Sequence, residues 1–135
     1  MIEALVFPDT RDALFDLVNG ARHLGETVRA VYHLPAGDYG ALDGPFPLAL
    51  IYGAPGGKTG FVDRVDRRTI EVYAPGQQAV STLESISSSI CGEDIETPSG
   101  YIDKIEVDGV PEDVPYQSDT LNKAVATFMV TTRPI

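Results

Sequence analysis

Apolar positions change their period several times along the chain, and each change marks an element. Pro8-Asp9-Thr10 opens a helix, because Asp9 or Thr10 can accept from the free N–H groups of a first turn and Asp12 adds charge of the favourable sign. Ala13, Leu14, Leu17, Val18, Ala21 and Leu24 then recur at helical spacing, predicting a helix over 10–24 that Gly25 ends, with Asn19-Gly20 as a weak point inside it. From Thr27 to Leu34 the period becomes two, with Val28, Ala30, Tyr32 and Leu34 on one side, as in a half-buried strand. A second helical stripe, Ala79, Val80, Leu83, Ile86 and Ile90, predicts a helix over 77–91. Its opposite face, Ser81, Thr82, Ser85, Ser87, Ser88 and Ser89, is small enough for a partner or the sheet to approach closely.

Between these helices, Pro35 to Pro47 is dense in turn formers and reads as a long loop, a length that suggests contact with another subunit. Leu48 to Tyr52 is an apolar strand, and Gly53 to Thr59 a glycine-rich hairpin loop. Phe61 to Asp66 and Thr69 to Ala74 flank the polar turn Asp66-Arg67-Arg68-Thr69, forming a second hairpin across which Glu71 can pair with Arg64 for a few tenths of a kcal/mol. After the second helix, Gly92 to Ser99 reads as an acidic linker. Two strands follow, Thr97 to Val107 (Ile102 on one face, Ile105 and Val107 on the other) and Ala124 to Arg133, joined by an acidic, proline-bearing loop over 108–120. Both faces of the last strand suit burial, which places it inside a sheet or under a partner. Helix, four strands, helix, two strands predicts one α+β domain over 1–135: two layers, a mostly antiparallel sheet with both helices packed on one face.

Composition narrows the function more than the fold. Ten basic residues against 20 acidic give a net charge of −10 with no basic face, so binding through phosphate neutralisation is not expected. Cys91, the single cysteine, follows Ile90 at a helix end and reads as a small buried hydrophobe, with no disulfide available to it. Met1-Ile2-Glu3-Ala4-Leu5 has an acid where a secretion signal would carry a base, and no apolar run is long enough to span a membrane, so the expectation is a protein made and used in a cytoplasm. His23 and His33 stand singly, without Cys, Asp or Glu at ligand spacing, and no serine sits in a nucleophile elbow. Gly53-Ala54-Pro55-Gly56-Gly57-Lys58-Thr59 is the one stretch that suggests nucleotide chemistry. Yet a phosphate loop needs glycine where Tyr52 stands, and a helix from Lys58 where a strand pattern follows. No catalytic residue, cofactor or metal is expected.

The last half of the chain carries a resemblance. A helix rich in small and aliphatic residues, the strand Pro98-Ser99-Gly100-Tyr101-Ile102-Asp103, the Val114-Pro115-Tyr116 loop and the closing Thr127-Phe128-Met129-Val130-Thr131-Thr132-Arg133 strand are similar to those of tail terminator (tail completion) proteins of long-tailed bacteriophages, most clearly over 69–134. The resemblance implies a virion protein of the head–tail junction, assembled in the host cytoplasm. It would form a homo-oligomeric, hexameric ring that caps the tail tube, ends tube growth and offers the surface on which the head docks. The partners implied are other copies of the chain, the tail tube protein and a head-completion or neck protein. DNA would pass through the ring without specific binding, and no membrane is involved. The expected contacts are the loops at 35–47 and 108–120 and the hairpin tip at 64–68, with Arg64, Arg67, Arg68, Tyr116 and Arg133 as interface residues. A head-closure or other neck (connector) protein of the same virion and, more remotely, a nucleotide-binding enzyme built on Gly53–Thr59 are the alternatives.

Overall fold

A computed structural model describes residues 6–35, 42, 44–60, 63–116, 118 and 120–134, so most of the loop expected at 35–47, the start of the strand expected at 61–66 and parts of the 108–120 loop lie outside the described residues. Helix α1, Thr10–Val18, is capped by Asp9, whose carboxylate accepts from the N–H groups of Arg11 and Asp12 at 2.9 and 3.3 Å. It stops well before residue 24. Gly20 takes φ 80°, its N–H donates to Val28 O at 2.8 Å, and Val28 N–H donates to Ala21 O at 2.9 Å. Pairing with the returning chain thus replaces the next helical turn. The residues between form a small hairpin, β1 (Arg22–His23) and β2 (Glu26–Thr27), turning at Leu24-Gly25. The strand expected at 27–34 is reduced to β2 and the short β3, Arg29–Val31, whose Ala30 N–H is taken by the Asn19 side chain at 3.1 Å.

The sheet strands are longer than the sequence suggests. β4 runs Leu48–Thr59 straight through the glycine-rich stretch, and β5 runs Arg64–Pro75 straight through Asp66-Arg67-Arg68-Thr69, so neither the expected loop nor the expected polar turn forms. The actual reversal lies between them, where Gly60 N–H donates to Asp63 O at 2.7 Å. The β4–β5 register slips between Ala54 and Lys58, and this bulge absorbs Pro55-Gly56-Gly57 without ending the strand. Helix α2 spans Gln78–Ile90, as the periodicity predicts. The supposed acidic linker is strand β6, Gly92–Thr97, which pairs through a two-residue turn with β7, Gly100–Val114, so most of the 108–120 loop is strand as well. β8, Leu121–Thr132, closes the chain order.

Sheet order is β3-β4-β5-β8-β7-β6, antiparallel except for the β3–β4 pair. β5 and β8 pair in unbroken register from Arg64↔Thr132 to Pro75↔Leu121 and form its spine. One face of that spine, Ile70, Val72, Ala74, Ala124, Ala126, Phe128 and Val130, packs with Ala13, Leu14 and Val18 of α1 and Ala79, Leu83, Ile86 and Ile90 of α2 in a single core. Both helices therefore cover one face, and the domain is α+β. The sheet curls around them: α1 touches β3 and β4 at one edge and β6 at the other. Ile102 and Ile105, expected on opposite faces, both join the core, beside a β6 whose pleat is interrupted at Asp94 (φ 56°).

Both open edges carry the same protection. β3 covers β4 only as far as Leu50, and the uncovered remainder holds Pro55 and the bulge. β6 covers β7 only as far as Ile105, and the remainder holds Pro111, Asp108, Glu112 and Asp113 and two register slips. Proline, charge and bulges each oppose pairing with a strand from another chain. No helix among the described residues is long and apolar enough to cross a membrane.

Candidate functional site

Alternation along β5 sends Arg64, Asp66 and Arg68 to the helix side of the sheet and Arg67, Thr69, Glu71 and Tyr73 to the helix-free side. The three arginines expected at an exposed tip are consequently divided, and each is engaged within the chain. Arg64 Nε donates to Asp66 Oδ1 at 2.9 Å, with its guanidinium 6.0 Å from the Phe7 ring. Arg68 Nε donates to Thr10 Oγ1, and that hydroxyl donates to Asp66 Oδ2, each at 2.8 Å, which ties the start of α1 to the spine. Arg67 reaches over β8 to Asp108 on β7, Nε to Oδ2 at 2.8 Å, and donates from Nη1 to Pro55 O at 3.1 Å. The three, with Lys58 and the β4 bulge, border a polar concavity of about 390 Å³.

Tyr116 and Arg133 lie apart from this group. Tyr116 sits edge-on against Tyr73, ring centroids 5.1 Å apart, six residues along β5 from Arg67 or about 20 Å. Arg133 turns toward β7, where Nε and Nη2 both donate to Asp103 Oδ1 at 3.0 Å and the guanidinium stands 6.0 Å from the Tyr101 ring. Tyr101, Pro8, Arg133 and Pro134 line a second concavity of about 360 Å³.

The pairing of Glu71 with Arg64 does not occur, because seven positions along one strand put them on opposite faces. Glu71 is 7% exposed and accepts three bonds: Tyr52 hydroxyl to Oε1 at 2.7 Å, Tyr73 hydroxyl to Oε2 at 2.8 Å, and Lys123 Nζ to Oε1 at 3.1 Å. Burial and the carboxylate beside them raise both phenols, Tyr52 to about 12 and Tyr73 further. Both carboxylate oxygens are engaged, and the tyrosines hold their protons through the physiological range. The signal for it in the sequence is a lone acid inside the apolar run Ile70-Glu71-Val72-Tyr73, but its partners come from β4 and β8 and are not readable there.

His23 is buried at 7% exposure with Nδ1 2.8 Å from Ser85 Oγ, so the small hydroxyl face of α2 receives the β1–β2 hairpin. Burial lowers its pKa and raises that of the Cys91 thiol, favouring the neutral forms of both. No three His, Cys, Asp or Glu side chains converge as metal ligands among the described residues. Gly53–Thr59 lies in β4 with β5 beside it, and no helix starts at Lys58 to direct N–H groups at a phosphate. Compared with known protein families and with curated proteins, the chain matches none.

Proposed function

We propose that this protein is the tail terminator of a long-tailed bacteriophage: a ring of identical subunits that caps the tail tube, halts its growth and presents the face to which the head attaches. The observation that carries the reading is where the resembling residues fall. The stretch 69–134 makes one contiguous unit, most of the β5-β8-β7-β6 sheet with α2 upon it. Within it Pro98-Ser99 forms the β6–β7 turn, Tyr116 packs on the spine, and Thr127 to Thr132 belong to the central strand. Two further features agree with it. Blunted edges leave side-chain surfaces, rather than shared sheets, as the means of assembly. A net charge of −10, with Arg64, Arg67, Arg68 and Arg133 all ion-paired internally, is of the sign that repels passing DNA.

The test is genetic and structural. Removing the protein from the virus that encodes it is expected to leave tubes of uncontrolled length without heads; tails of normal length beside heads that leak DNA would overturn the reading in favour of a head-closure protein. Size exclusion with light scattering over a hundredfold range of concentration gives the subunit number, expected near six times the 14.5 kDa chain mass.

A further inference from the structure

The tip of the β1–β2 hairpin sets a leucine in a backbone and a solvent environment that both disfavour it. Leu24 and Gly25 form a two-residue turn at φ 55° and 81°, between His23↔Glu26 and Arg22↔Thr27. Both positive φ values belong to the turn type that takes asparagine, aspartate or glycine at its first position, and a leucine Cβ is disfavoured there. The same Leu24 is 62% exposed, so it gains little by burial. Arg22 Nη2 donates to Gly25 O at 2.7 Å and holds the turn in this form. A side chain unsuited both to its backbone and to water is accounted for when a partner covers it.

We propose that Leu24 is the knob of a head-to-tail contact between copies of this chain, received by the concavity that Pro8, Tyr101, Arg133 and Pro134 form on the next copy. This rests on the ring reading above and assigns its repeated contact. Knob and hole are separate patches of one chain, Leu24 following the end of α1 in sequence and Pro8 preceding its start, so one subunit can give with one and receive with the other. A contact between two different patches generates a ring wherever its rotation closes. The charges around the two patches are complementary. Beside the knob, Arg22 and Arg29 are exposed and make no ion pair among the described residues, with Glu26 the one acid of the tip. Acids flank the hole: Asp9 follows Pro8, Asp94 accepts from the Tyr101 hydroxyl, and Asp103 holds Arg133.

The experiment uses the full chain with Cys91→Ser, carrying Leu24→Cys, Tyr101→Cys or both, under mild oxidation. The double variant is expected to cross-link into a ladder reaching the ring number, while each single variant stays largely uncross-linked. No ladder, or equal cross-linking by Leu24→Cys alone, overturns the proposal. A second variant, Leu24→Asn, separates assembly from folding. It suits the turn, so the thermal midpoint of the monomer should rise by roughly 2–5 °C while self-association weakens by roughly 10–100-fold, the effect of one exposed leucine per contact. If Leu24→Asn assembles as the unsubstituted chain does, this contact is wrong and the ring reading stands. Normal tails in the absence of the protein remove the ring reading itself.

Discussion

The environment of Glu71 offers the sharpest test of the structure against the sequence. An exposed cross-strand pair with Arg64 would be worth a few tenths of a kcal/mol. A buried carboxylate with three donors predicts a much larger loss for Glu71→Ala. Hydrogen bonds to a charged acceptor contribute about 1.5–3 kcal/mol each, but the three do not add. Tyr52 is 36% exposed and the Lys123 side chain 24%, so both recover water when the carboxylate is removed. Tyr73, 2% exposed, does not. Its stranded hydroxyl sets the expected cost at about 2–3 kcal/mol. With a urea slope of about 1–3 kcal/mol per M, the midpoint at pH 7 should fall by roughly 1–2 M. Adding Tyr73→Phe removes the orphaned hydroxyl and should recover more than about 1 kcal/mol. A loss below about 0.5 kcal/mol, or no recovery in the double variant, would refute the assignment.

Four further outcomes concern other sites. Arg68→Glu sets a carboxylate against Asp66, whose side chain is 11% exposed, and frees Thr10, so it should cost about 3–5 kcal/mol in chemical denaturation. Arg67→Glu, at a pair whose side chains are 36% and 37% exposed, should cost under about 1 kcal/mol, and equal effects would contradict the division of the arginines between the faces. His23 has its pKa lowered by burial, and Glu26 across the hairpin is too exposed to offset this, so the unfolded chain binds the proton more tightly. Stability is then fully present above the unfolded value near 6.5 and declines as pH falls below it; thermal midpoints between pH 8 and 5 should show this slope, and His23→Gln should flatten it. Gly57→Ala would bring a Cβ within 2.3 Å of Val65 O, and since only backbone movement relieves that, calorimetry should report a loss of about 1–3 kcal/mol.

Local chemistry in the sequence determines the elements whose stability is local. A cap at Asp9 or Thr10, the stripe of α2 and the interior character of the last strand are readable, because capping and periodicity act within a few residues; which of that strand's two apolar faces, the one with Phe128 and Val130, meets the helices is decided by the fold. Where two kinds of signal compete, tertiary structure decides. Gly53–Thr59 and Asp66–Thr69 carry turn residues, yet β8 offers β5 a partner along its whole length, and cross-strand hydrogen bonds outweigh turn preference. Gly57 then serves as the residue small enough for the β4 bulge to lie against Val65, rather than as a loop former. Asn19-Gly20 is the visible weak point of the first helix, but only the backbone of Val28 determines that the chain breaks there. The candidate sites divide the same way. The sequence singles out the arginines as charges, while the curl of the sheet decides that they are bound to Asp66, Asp108 and Thr10, and that Glu71 meets Tyr52, Tyr73 and Lys123. Side-chain partners in a sheet come from strands far apart in sequence, and their identity depends on a register that no single strand contains.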